Sequence, residues 1–262
     1  MPETLLTVDK LNKRYGDFEA LREISFAARR GELVCIVGPS GCGKTTLLKI
    51  IAGLLSASSG SVELDGTPVT GPHPRMAVVF QEYGRSLMPW MTVRGNVELP
   101  LRPKMSKAER RAKSKAALEA VGLGEAMHKY PWQLSGGMQQ RVAIARAIAY
   151  DPEILVMDEP FAAVDAQTRA DLEDLVRQVW ERLGVTVLFV THDIDESIYL
   201  GERVVVLSMS PTVVQEDLVV DLPRERDQLT TRALPRFTEL RTHVYEQIQR
   251  AKAGATQRVD DH

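Results

Sequence analysis

Residues 33–55 read LVCIVGPSGCGKTTLLKIIAGLL, and the reading of this stretch decides the fold. Leu33 to Val37 is uniformly apolar with no polar alternation, as a strand buried on both faces requires. Gly38-Pro39-Ser40-Gly41-Cys42-Gly43-Lys44-Thr45 follows and fits G-x-x-x-x-G-K-[ST], and Thr46 continues into a helical run that ends near Leu55. Strand, glycine loop and helix together are the context in which this motif binds phosphate. Glycines let successive N–H groups wrap an anion, and the helix N-terminus adds positive potential. Lys44 reaches the β and γ phosphates of a nucleotide, and Thr45 offers a hydroxyl to Mg²⁺. Cys42 lies among these donors beside Lys44, which predicts a reactive thiol that bound nucleotide protects from alkylation.

Outward from this stretch, ILVM at 154–157, VTVLFV at 185–190 and VVVL at 204–207 repeat the unbroken apolar pattern of a parallel sheet. Between them, Gln167 to Leu183 carries Leu172, Leu175, Val176, Val179 and Leu183 at helical spacing. The architecture is therefore α/β. TLLTVDKLNKRYG at 4–16, EALREISFAARRGE at 19–32 and SVELDGTPVT at 61–70 alternate instead, the last with an Asp65-Gly66 hairpin signal. These predict an antiparallel sheet beside the parallel core. Helices are expected over Lys107–Val121 and Ser135–Ala149, as a helical insertion, and over the amphipathic tail Arg232–Lys252.

The composition agrees with a globular protein and excludes several classes. The 262 residues carry 33 basic and 35 acidic side chains, a net charge of −2, which argues against bulk affinity for nucleic acid. Two cysteines, Cys35 and Cys42, make no disulfide framework and suit a reducing compartment. No apolar run approaches the roughly 20 residues of a membrane span. MPETLLTVDK is too polar for a secretory signal.

A second chemical element is ILVMDEP, where Asp158 and Glu159 close a buried strand at the edge where α/β sheets gather ligands. A carboxylate there suits a metal ion, and its neighbour suits the orientation and polarisation of an attacking water.

LSGGMQQR at 134–141 adds a resemblance to the signature sequence of the ATP-binding-cassette (ABC) ATPases, and further family elements occur in the family's order. Gln81 in VVFQE resembles the glutamine loop, Asp165 in AAVD the dimer-contact loop, His192 in FVTHD the switch histidine and Tyr15 in KRYG the adenine-stacking aromatic. Ala162-Ala163-Val164-Asp165 departs from the family's Ser-Ala-Leu-Asp but keeps the acid.

The resemblance implies a P-loop NTPase fold of the ABC ATPase type, with a mostly parallel core sheet, an antiparallel β subdomain and a helical insertion. It implies a single nucleotide-binding domain over 1–262. Core and β subdomain would occupy about 4–95 and 150–220, the helical subdomain about 96–149 and a C-terminal extension about 221–262. Gly38 to Thr46 would hold ATP, with Thr45, Gln81 and Asp158 on Mg²⁺. Lys44, Gln81, Glu159 and His192 would be catalytic. Tyr15 would stack on adenine, although Phe18 and Phe26 lie nearby and any of the three suits a core. Ser135, Gly136 and Gly137 would cap ATP held by a partner protomer, with Asp165 at the same contact.

A chain without a spanning segment would serve separate membrane-spanning permease subunits, as in bacterial importers. The implied place is peripheral, on the cytoplasmic face of the inner membrane, with a substrate-binding protein as indirect partner and no nucleic acid. Glu82 to Leu101 would hold the permease contact, with Met88, Pro89, Trp90 and Met91 as its apolar cluster or as part of the core. Seven basic residues between Leu101 and Ala117 suit either a solvated face or a position near anionic headgroups. The motifs and tail resemble the ATPases of nitrate, sulfonate and taurine importers. The alternatives are an exporter ATPase or a soluble ATPase acting on DNA or ribosomes.

Overall fold

The computed structural model describes residues 3–81 and 86–260, with side chains through 253. The chain divides into two compact units, Met1–His73 with Thr186–His262, and Pro74–Val185.

In the first unit, β1 (Thr4–Tyr15) and β2 (Phe18–Arg29) form a long antiparallel hairpin closed at the Tyr15–Phe18 pair. Leu6 and Val8 alternate into the core, and a bulge at Lys10 then brings Leu11 inward in place of the lysine. Side chains stabilise the bulges: the Lys10 N–H donates to Ser25 Oγ at 2.8 Å and the Glu23 N–H to Asn12 Oδ1 at 3.0 Å. After β3 (Leu33–Val37), the strands β4 (Ser59–Leu64) and β5 (Thr67–Pro68) complete a sheet of order β2-β1-β4-β5.

All five residues of β3 are buried. It pairs in parallel with β8 (Thr186–Val190) on one side and β9 (Arg203–Leu207) on the other, and β10 (Val214–Val219) adds antiparallel to β9. The half-polar β10, VQEDLV, has the composition of an edge strand and breaks the apolar pattern that marks the others. Helix α1 (Lys44–Ile51) follows the glycine loop. The last helix, α7 (Pro235–Asp260), packs on β9, β10 and α6 (Ile194–Leu200) through Phe237, Leu240, Val244, Ile248 and Ala251. Its helical backbone runs to Asp260, beyond the expected end at Lys252.

In the second unit, β6 (Met76–Val79) and β7 (Ile154–Asp158) pair in parallel, from Met76–Ile154 to Val79–Met157. Between them α2 (Val93–Glu98), α3 (Lys107–Ala120) and α4 (Gly136–Ile148) pack on one another, and α5 (Ala166–Leu183) follows β7. Each helix start is specified locally. Thr92, Ser106, Ser135 and Asp165 each accept an N–H bond from their own first turn, a contribution of about 1 kcal/mol apiece. Among the described residues, no helix is long and apolar enough to cross a membrane.

Candidate functional site

The glycine loop of the first unit is built on β3. Gly38 leaves that strand where a Cβ would stand 3.0 Å from Cys42 Sγ, Leu207 Cβ and the Leu207 carbonyl, a tight fit that a side chain would crowd. Gly43 then turns the chain into α1 with φ 96°, a left-handed N-cap that has no side chain with which to satisfy the first N–H groups of the helix. Those donors suit an anion. Lys44 is 5% exposed and donates to the carbonyls of Gly38 at 2.9 Å and Pro39 at 3.1 Å, which folds its ammonium over the loop. Pro39 is buried, while Ser40, Gly41 and Thr45 are exposed and Thr46 is half-buried.

Cys42 corrects an expectation. Its side chain is fully buried, facing Gly38 and with the backbone carbonyl bonded to the buried Thr212 hydroxyl, so it offers no accessible thiol. A cysteine in a glycine loop says nothing about which way it points, so the sequence pattern could not show this. Thr212 itself, supporting the loop from the β9–β10 turn, carries no sequence signal.

His192 follows β8 and is exposed rather than packed in the core. Its position is set by β3: the Thr191 N–H donates to Ile36 O at 3.2 Å, and the Asp193 N–H to Thr191 Oγ1 at 2.9 Å. Of the three candidate aromatics, Phe26 is 7% exposed and belongs to the core, while Tyr15 at 48% and Phe18 at 57% lie open at the hairpin end. Lys13 Nζ stands 5.0 Å from the Tyr15 ring centroid.

In the second unit, the β6–β7 pairing sends Gln81 and the Asp158-Glu159 pair off the same edge of two parallel strands. Gln81 is exposed, Asp158 is 6% exposed and Glu159 is half-buried. Glu159 has φ 43°, a left-handed backbone that a non-glycine residue adopts at a cost. Carboxylate, amide and hydroxyl oxygens are the hard donors that Mg²⁺ takes, so Asp158, Gln81 and Thr45 fit such an ion chemically.

Ser135 is the N-cap of α4, its hydroxyl accepting from the Met138 N–H at 3.3 Å. Ser135 and Gly136 are exposed, and Gly137 is buried against Thr168. Asp165 caps α5, and N–H bonding from Thr168 above all holds its carboxyl below the usual aspartate range.

In the stretch singled out for the permease contact, Glu82 to Arg85 lie outside the described residues. Beyond them Trp90 is 71% exposed, Pro89 is exposed, and Met88 and Met91 are half-buried. The shape of this turn rests on Asn96, fully buried, whose Oδ1 accepts from the Met88 N–H at 2.7 Å and whose amide donates to the carbonyls of Met88, Met91 and Thr92. Arg146 of α4 donates to the carbonyl and hydroxyl of Ser86, and burial lowers its pKa. Sequence reasoning missed both. A lone asparagine between Val93 and Val97 on an apolar helix face was the available signal for the first.

The ABC transporter family profile matches residues 21–162. The nitrate import ATP-binding protein NrtD of Synechococcus elongatus is 43% identical over 241 residues, covering 90% of this chain and 86% of that protein. The nitrate transport protein NasD of Klebsiella oxytoca is 42% identical over 249 residues, covering 92% and 94%. Among solved structures, the dimeric post-hydrolysis state of the ATP-binding cassette MJ0796 bound to ADP and Pi superposes with a TM-score of 0.70 at 34% identity, covering 82% of this chain and 99% of that one. The chain belongs to the ABC transporter family and is one of its ATP-hydrolysing cassettes.

Proposed function

We propose that this chain is the ATP-binding subunit of an importer of nitrate, sulfonate, taurine or a related small anion, working as a homodimer on separate permease subunits. Two relatives named for nitrate import or transport, each matching at least 90% of the chain, carry this reading. The exposed Trp90 turn supports a permease contact through Met88 to Met91. The place of action is the cytoplasmic face of the inner membrane, with a substrate-binding protein reached through the permease.

The roles follow from the side chains. Gly38 to Thr46 bind the phosphates through backbone N–H groups, and the Lys44 ammonium leaves its loop carbonyls for the β and γ oxygens. Tyr15 offers a π face to adenine. Thr45, Gln81 and Asp158 hold Mg²⁺, which when bound neutralises charge on the phosphate oxygens. Glu159 accepts a hydrogen bond from the attacking water and directs it at the γ phosphorus, while His192 donates to a γ oxygen. Ser135, Gly136 and Gly137 at the start of α4 cap ATP held by a partner, and Asp165 faces the same partner. In this reading about 4–95 and 150–220 form the nucleotide-binding core and β subdomain, about 96–149 the helical subdomain and about 221–262 an extension.

Affinity purification of the tagged chain from native membranes in mild detergent, followed by mass spectrometry, tests the transport reading. A multi-spanning partner together with a periplasmic-type binding protein is expected. Recovery with ribosomes, DNA or soluble proteins alone would overturn it and leave the ATPase chemistry standing.

A further inference from the structure

Two segments assigned above to a partner protomer, Ser135–Gly137 and the Asp165 loop, come from different elements of the second unit. One residue of α5 touches both. Thr168 donates from its backbone N–H to Asp165 Oδ1 at 2.9 Å and from its hydroxyl to Asp165 Oδ2 at 2.7 Å, so both oxygens of an exposed carboxylate are oriented by one residue. The third substituent on its Cβ, the Cγ2 methyl, lies over Gly137 so closely that a Cβ added to the glycine would fall well inside contact distance of it.

Threonine's heavy side-chain atoms are placed by a single torsion, and one rotamer makes both contacts. Rotation that moved the methyl off Gly137 would carry Oγ1 away from Asp165. Gly137 is correspondingly buried, whereas Ser135 and Gly136 are exposed.

From this geometry we infer that Thr168 is a positioning residue that joins the signature segment to the Asp165 loop, so that both meet a second copy of this chain as one preset surface. The inference rests on the reading proposed above, in which the signature segment caps ATP held by a partner protomer. Its physical content is narrower: the absence of a side chain at Gly137 leaves room for the Thr168 methyl in the rotamer whose hydroxyl, together with the Thr168 backbone N–H, orients the Asp165 carboxylate. The missing side chain of Gly137 then serves close packing against Thr168, while its backbone keeps its place in the partner-facing cap with Ser135 and Gly136. Preorganisation of this kind lowers the ordering cost of association rather than adding a contact.

The test is a double-mutant cycle on the full-length chain, read as ATP turnover and, separately, as nucleotide affinity with a fluorescent ATP analogue. Gly137→Ala is expected to lower turnover about tenfold while leaving affinity within about twofold, since the nucleotide bound by its own loop is untouched. Thr168→Ser keeps the hydroxyl and removes the methyl, and is expected to stay within about threefold of wild type. Combined, Gly137→Ala with Thr168→Ser regains most of the lost turnover, because the methyl that clashed is gone and the bond to Asp165 is kept. Thr168→Val keeps the methyl but not the hydroxyl, and is expected to lower kcat about threefold to tenfold with affinity unchanged. A double variant no better than Gly137→Ala alone, or a Thr168→Val variant turning over like wild type, overturns the inference. A Glu159→Gln chain that binds ATP and stays single would instead overturn the reading on which it rests.

Discussion

Two glycine-containing helix starts in this molecule, Gly38–Lys44 before α1 and Ser135–Gly137 before α4, look alike in sequence and differ in construction. The first leaves its helix without a side-chain cap, turns on a left-handed Gly43 and folds a buried lysine over its own carbonyls. The second is capped by the Ser135 hydroxyl, carries no charged residue from Ser135 to Gln140 and exposes its first two residues. An uncapped helix start with a lysine wraps an anion and holds it unaided; a capped, uncharged and exposed one suits an anion that another molecule already holds. Under the proposed function, this difference is why the two elements would not be redundant.

Substitutions on the two sides should therefore fail in different ways. The largest effect belongs to Lys44→Ala, expected to lower turnover by about a thousandfold and to weaken nucleotide binding as well, because the loop loses its one ammonium. Glu159→Gln should lower turnover by about a hundredfold to a thousandfold while ATP binding survives, measured by phosphate release and by equilibrium binding. Ser135→Arg should leave binding by the first loop within about twofold of wild type and still suppress turnover, since only the element offered to a partner is blocked. A smaller loss is expected of Tyr15→Ala, roughly tenfold in nucleotide Kd with kcat little changed, as one base–aromatic stack is removed. Smallest is the response of Cys42 to an alkylating reagent: the buried thiol should react slowly with or without MgATP and quickly only in denaturant. If Ser135→Arg weakened binding as Lys44→Ala does, the proposed division between the two elements would be wrong.

Much of this was legible in the chain itself. Buried parallel strands are written as unbroken apolar runs, and both LVCIV and ILVMD are buried at every residue. Helix starts are written in the capping residues, so the expected Ser135–Ala149 and Lys107–Val121 helices lie within about two residues of the observed bounds. What stayed hidden has a common cause: it depends on where side chains point across long loops. The pairing of Thr168 with Gly137, the support of the glycine loop by Thr212, and the Asn96 and Arg146 bonds to the segment before α2 all join residues whose spacing follows no period. Neither does an apolar pattern reveal that Glu159 takes a left-handed backbone or that Cys42 turns inward.

The most direct test of the central claim, that the signature element acts on nucleotide held by another protomer, is the molar mass of purified Glu159→Gln in solution with and without ATP. The predicted result is the mass of one chain without nucleotide or with ADP and of two chains with ATP, and a return to one chain when Ser135→Arg is added at unchanged ATP occupancy. A Glu159→Gln chain that binds ATP and stays single, or a doubly substituted chain that still pairs, would contradict it.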